Sequence, residues 1–294
     1  MEKAAATQLA KQTPRQRQQQ RQQRQSQRQR RSGGQLSIQI TNALLAALLP
    51  VAIIVIWEVA GAMGRLNPIL LPTPSKIWEE FVSLTASGEL ASHLGISAWR
   101  ALLGFLLGGG LGLAAGIWVG FSYKTERLLD PTLQMLRTLP HLAIAPLFIL
   151  WFGFGETSKI LLIAKGTFFP LYVNTFLGIR SVDGKLFDVA RVLQFSKWQL
   201  IMKLIVPAAL PNILLGVRLS VGVAWLVLVV AEMMGSSSGV GFLINDARSF
   251  SITSVVFVGI IVFAVVGKFS DSIVKLLERR LLRWQDSYKG DGAS

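Results

Sequence analysis

The sequence predicts an all-α integral membrane protein with six transmembrane helices and a further amphipathic helix on the cytoplasmic side. Three observations carry this prediction. The 294-residue chain is 51% hydrophobic with a mean hydropathy of +0.48, more apolar side chain than a soluble core of this size uses. Its apolar residues gather into six runs, each close to the roughly 20 residues that cross a hydrocarbon layer as a helix. Its Lys and Arg residues crowd into alternate connections between those runs.

The expected spans are residues 42–63, 97–121, 131–152, 158–179, 210–234 and 252–272. The second carries glycines at 104, 108, 109, 110, 112, 116 and 120, so that Gly104, Gly108, Gly112, Gly116 and Gly120 recur every fourth residue and allow a neighbouring helix to approach closely. Pro140, Pro146, Pro170, Pro207 and Pro211 interrupt or bend helices. Between the first two spans, Thr73 or Ser75 can cap a short helix bearing Ile77, Trp78 and Phe81, which is expected to lie in the membrane interface.

Orientation follows from charge. Lys124 and Arg127 mark one connection, five cations from Arg180 to Lys203 mark another, and Lys275, Arg279, Arg280, Arg283 and Lys289 mark the tail. The opposite connections hold Arg65 and Lys76 against Glu79, Glu80 and Glu89, and later only Arg248. Both termini are therefore expected on the cytoplasmic side. Residues 1–35 are expected to form a disordered Gln/Arg-rich cytoplasmic tail, and residues 36–294 the transmembrane domain. Nine cations against Glu2 in the first 34 residues supply +8 of the net +14. The tail lacks the large apolar side chains that would offset its ordering entropy, and it is not expected to act as a secretory signal. With no aromatic residue for base stacking, it reads as an arm drawn to anionic lipid rather than to nucleic acid.

Composition removes several chemistries. There is no Cys, and His93 and His141 are the only histidines, so disulfides, thiolate metal sites and histidine-rich metal centres are not expected. No G-x-x-x-x-G-K-[ST] phosphate loop occurs, so the chain is not expected to hydrolyse ATP. A secondary transporter or channel independent of ATP is the alternative of another class, although the two halves lack the inverted repeat it predicts.

The polar connection at 180–207 is the most informative segment. It reads Asp188-Val189-Ala190, three residues, Gln194, nine residues, then Leu204-Ile205-Val206-Pro207. This is similar to the cytoplasmic EAA loop of ABC importer permeases, whose pattern is Glu-Ala-Ala, three residues, Gly, nine residues, Ile-x-Leu-Pro. Asp188 and Val189 depart from Glu-Ala. Gln194 stands where glycine permits a left-handed turn, so the loop is expected to turn differently here. Residues 68–284 further resemble the permease of aliphatic sulfonate importers, a branch shared with taurine and, more distantly, nitrate and bicarbonate systems. The segments ILLPTPSKIWEEF, SGELASHLGISAWRALLGF, ERLLDPTLQMLRTLPHLAIAPLFILWFG, VAEMMGSSSGVGFLINDARSF and LLERRLLRW carry that likeness.

The resemblance implies the type I importer permease fold in a bacterial cytoplasmic (inner) membrane. It implies a pair of permease copies, two ATPase subunits that bind ATP and Mg, and a periplasmic substrate-binding protein; no cofactor is expected in this chain. Phe187, Val189, Ala190 and Leu193 would anchor a coupling helix on the ATPase, framed by Asp188, Arg191, Gln194 and Lys197. The implied cargo is a small oxyanion, with aliphatic sulfonate first and nitrate or bicarbonate as alternatives.

Ionisable residues inside spans demand partners or water. Glu58, Arg100, Arg137, His141, Lys165, Arg218 and Glu232 are the candidates. Arg137 and His141, one turn apart on the expected third span, can line an anion pathway; equally, Arg137 can snorkel and His141 can serve as a core donor. Trp225 can plug the pathway or simply pack. Glu232 can stand at the outer mouth or pair with Arg218 or Arg248.

Overall fold

The computed structural model describes residues 48–284, and every regular element among them is helical. The expected N-terminal tail and residues 42–47 of the first span lie outside the described residues. So does Lys289. The chain divides after Leu66 into two units. The first contributes α1 (Leu48–Ala62), which closes where Gly64, at φ 70°, and Arg65 donate back to Gly61 and Ala60.

The second unit holds α2 (Pro74–Ala86), α3 (Glu89–Phe121), α4 (Tyr123–Arg137), α5 (His141–Phe152), α6 (Glu156–Arg180), α7 (Gly184–Val192), α8 (Lys197–Leu200), α9 (Val206–Met233), α10 (Val240–Ser249) and α11 (Thr253–Leu281). Helix α2 starts as expected, with Pro74 in its first turn and the Thr73 hydroxyl accepting from the Lys76 amide at 3.4 Å. Ile77 and Leu84 turn inward, while Trp78 stays exposed and stacks on Phe81. Ser196 and Gln199 form a reciprocal cap that starts α8. From there a π-helical turn (Ile201–Ile205) leads into α9 just before Pro207, whose ring nitrogen has no hydrogen to donate.

The core is built on α3, α6 and α9, whose packing is the most extensive in the fold. Helices α3 and α6 run side by side in the same direction, because their contacts advance together from Gly104–Ile163 through Gly112–Phe168 to Gly120–Ile179. The every-fourth-residue glycines are the seam. A methyl group on Gly108 would lie 1.9 Å from the Ala164 carbonyl oxygen, and one on Gly112 2.3 Å from the Phe168 carbonyl oxygen. At such range main chain meets main chain, and Thr167 Oγ1 donates across the seam to the Gly104 carbonyl at 3.1 Å. Helix α9 runs antiparallel to both and is tied to α6 by Ser220 Oγ donating to the Thr167 carbonyl at 2.8 Å.

Among the described residues, four helices are long and apolar enough to cross a membrane: α3, α6, the continuous Lys197–Met233 stretch and α11. They cover the expected second, fourth, fifth and sixth spans, each extended by polar turns. The expected third span is not one helix. Helices α4 and α5 meet at 99°, with the break at Thr138–Pro140. Pro140 lacks an amide hydrogen and holds an extended backbone (ψ 131°), which ends α4 and restarts the chain as α5. Because α3 and α6 are parallel, the chain between them must come back along the bundle, and the bent α4–α5 pair is that return.

Candidate functional site

Three places on this frame gather polar chemistry. The first is at the end of the bundle formed by the starts of α3, α6 and α10 and the end of α9. Arg100, 1% exposed, reaches three groups at once. Its Nη1 donates to Glu232 Oε1 at 2.8 Å and to the Ser238 carbonyl at 2.7 Å, while Nε and Nη2 form a bidentate pair with Glu156 at 2.6 and 2.7 Å. Glu232 is equally enclosed. It also accepts from Ser97 Oγ at 2.8 Å and from the Gly241 amide at 2.8 Å, so its charge sits on the N-terminus of α10. The Ser97 hydroxyl in turn accepts from the Val240 amide, and His93 Nδ1 accepts from the Gly239 amide, both at 2.9 Å. Gly239 has φ 106°, and a methyl group there would collide with the Glu232 carboxylate at 2.2 Å, so the loop backbone is wrapped directly on that charge. Glu232 therefore pairs with neither Arg218 nor Arg248. Arg218 instead meets Asp271 of α11 at 2.6 Å.

The second place is the α4–α5 break. Arg137 is the last, exposed residue of α4 and His141 the first of α5, so the bend separates the two residues that the sequence places one turn apart on a single span. His141 packs against Gly166 of α6 with its Nδ1 buried and without a hydrogen-bond partner. Lys165, next to Gly166, donates to the Leu139 carbonyl inside the break at 2.8 Å. Trp225 lies elsewhere, half-buried on α9, its Nε1 donating to Ser270 Oγ at 3.1 Å and its ring edge-on to Phe263.

The third place is the opposite end of the bundle, where the basic connections gather. Asp183 caps α7, its carboxylate accepting from the Lys185 amide at 2.9 Å. Ala190 is buried and Phe187 half-buried, fixing one side of α7 to the protein. Leu186, Val189, Val192 and Leu193 face outward at 41, 54, 83 and 59% exposure, and Trp198 follows at 69%. Asp188 and Arg191 pair at 3.4 Å on the open surface, and Lys197 opens α8, also exposed. The loop turns left-handed despite lacking glycine, contrary to the sequence expectation. Gln194 has φ 50°, its amide donates to the Arg191 carbonyl, and the Phe195 amide donates to the Ala190 carbonyl, each at 3.0 Å, which is the hydrogen-bond pattern of a glycine-closed helix end. Gln194→Gly should remove about 1 kcal/mol of backbone strain. Slower amide exchange at Gln194 and Phe195 would register the gain, and faster exchange would contradict it.

Sequence reasoning singled out Arg100 and Glu232 without joining them, and passed over Glu156, Ser97 and Lys159. The signal was available in principle: charges of both signs in apolar runs require one another.

A parallel glycine-seamed pair, an antiparallel third helix and an amphipathic helix on the basic end make a bundle of membrane-spanning character. Residues 108–283 match the family described as binding-protein-dependent transport system inner membrane component, and the chain belongs to that family. It is 66% identical over 243 residues to the aliphatic sulfonates transport permease protein SsuC of Bacillus subtilis (strain 168), covering 83% of this chain and 88% of that one. The SsuC protein of Escherichia coli (strain K12) is 49% identical over 240 residues, covering 82% and 91%. The taurine transport system permease protein TauC of the same strain is 35% identical over 256 residues, covering 85% and 91%. The crystal structure of an amino acid ABC transporter with histidines shares the fold at a TM-score of 0.58 and 18% identity, over 68% of this chain and 98% of that one.

Proposed function

We propose that this chain is the permease of an ATP-driven importer of aliphatic sulfonates. The observation that carries the reading is the 66% identity, over most of both chains, with a relative named for that transport. Six spans in the type I arrangement follow if the bent α4–α5 pair counts as one crossing and α1 belongs to another. The expectations that remain part of this reading are a second copy of the permease, ATPase subunits holding ATP and Mg, an extracytoplasmic binding protein, an inner-membrane location and cytoplasmic termini.

Coupling is assigned to the basic end. Val189 and Leu193 of α7, with Leu186, Val192 and Trp198 beside them, form an apolar surface that water leaves unsatisfied and that a groove on an ATPase would cover. Phe187 and Ala190 root the helix in the permease, while Asp188, Arg191, Gln194 and Lys197 border the contact. Arg137, His141 and Trp225 remain the candidates for the translocation pathway, and Glu232 is assigned to holding its outer end together.

Reconstitution with the ATPase and binding protein tests the substrate. ATP hydrolysis should be stimulated most by alkanesulfonates, less by taurine, and least by nitrate or bicarbonate; a ranking led by nitrate or bicarbonate would overturn the assignment. Val189→Asp with Leu193→Asp should abolish co-purification of the ATPase while leaving the permease folded, because both side chains are exposed. Undiminished co-purification would remove α7 from the coupling role.

A further inference from the structure

Several cations of the apolar helices are matched by carboxylates. Arg100 has Glu156 and Glu232, Lys159 has Glu156, Arg180 has Glu126, and Arg218 has Asp271. Among the described residues Lys165 forms no ion pair. It is the tenth residue of the 25-residue α6, about 14 Å along the axis from Glu156 and so near mid-depth of a crossing helix. Its ammonium spends one donor on the Leu139 carbonyl and lies 5.6 Å over the Phe169 ring, neither of which cancels its charge. The same break holds the buried, unpartnered Nδ1 of His141, and α4 delivers Arg137 to it, which likewise forms no ion pair among the described residues.

An uncompensated ammonium at that depth is expensive unless water or an anion reaches it. The geometry points to Lys165 as the residue that meets the anionic group of the cargo during its crossing, at the α4–α5 break, with His141 Nδ1 as a second polar contact. This rests on the sulfonate reading above and adds the residue that makes the passage selective for an anion. A single ammonium suits conduction better than a bidentate guanidinium, because a waystation must release what it holds. The break supplies what a continuous helix lacks: a carbonyl turned out of the ladder to position the lysine.

The chain has no native cysteine, so Lys165→Cys introduces a single thiol. The variant is assembled with its ATPase and binding protein in proteoliposomes, and ethanesulfonate uptake per ATP hydrolysed is measured. The thiol is then converted to its aminoethyl, sulfonatoethyl or methyl disulfide, with the wild-type complex treated in parallel to correct for thiols on the partners. Uptake per ATP should fall at least about tenfold in Lys165→Cys, return with the aminoethyl adduct, and stay low with the other two. Lys165→Arg should keep part of the transport and Lys165→Met should lose it. Wild-type efficiency in Lys165→Met, or equal behaviour of the aminoethyl and methyl adducts, would overturn the role of Lys165. Failure of the wild-type complex to carry ethanesulfonate would instead overturn the sulfonate reading itself.

Discussion

Replacing Arg100 with methionine should lower the thermal unfolding midpoint of the detergent-purified permease by about 10 °C, corresponding to roughly 3–5 kcal/mol for breaking one side of a buried ion pair. The cost arises from what is left behind. Glu232, whose side chain is 0% exposed, would keep its Ser97 and Gly241 donors but lose the guanidinium it pairs with. Glu156, 54% exposed, can turn to water, so Glu156→Gln should cost no more than about 1 kcal/mol. The double variant Arg100→Met, Glu232→Met should be more stable than Arg100→Met alone, since it removes the stranded charge together with its partner. Equal midpoints for Arg100→Met and Glu156→Gln would show that water reaches this knot.

Gly108→Val should be at least as damaging, and Gly110→Ala should not. At Gly108 the new carbon would meet the Ala164 carbonyl oxygen at 1.9 Å and Thr167 Oγ1 at 2.4 Å. Neither helix backbone can give locally, so α3 and α6 must part by about 1 Å or more and loosen every contact along the seam. A methyl group at Gly110 would meet nothing within 4 Å, and trading glycine for alanine inside a helix is worth about 0.5–1 kcal/mol. Opposite signs at two positions on one helix are therefore expected in the unfolding midpoint. A Gly108→Val protein as stable as its parent would mean that the seam is open.

Most of the helical frame was legible because length and apolarity are local signals. The spacing of Gly104, Gly108, Gly112, Gly116 and Gly120 announced a close helix contact, though not that the partner would be α6 or that the two would run parallel; both depend on the return path of the chain. The break at Thr138–Pro140 was hidden in a run apolar enough to read as one span, and Pro140 offered itself equally as an ordinary kink. Arg100 and Glu232 were visible singly, but they are 132 positions apart and only the fold joins them. Gln194 shows the opposite failure. Its poor intrinsic preference for a left-handed backbone was read correctly, yet the two hydrogen bonds that close α7 outweigh it.

The glycine seam has a mechanical consequence. Two helices in main-chain contact from Gly104 to Gly116 have no side-chain layer there to repack, so along that seam they cannot slide or splay by small rotamer changes. They must travel as a single lever. Any alternation between inward-open and outward-open shapes then has to be absorbed by joints outside that pair, and the 99° elbow between α4 and α5 is one such joint. That elbow carries Leu139, whose carbonyl accepts from Lys165, so a change in its angle would move the lysine with it.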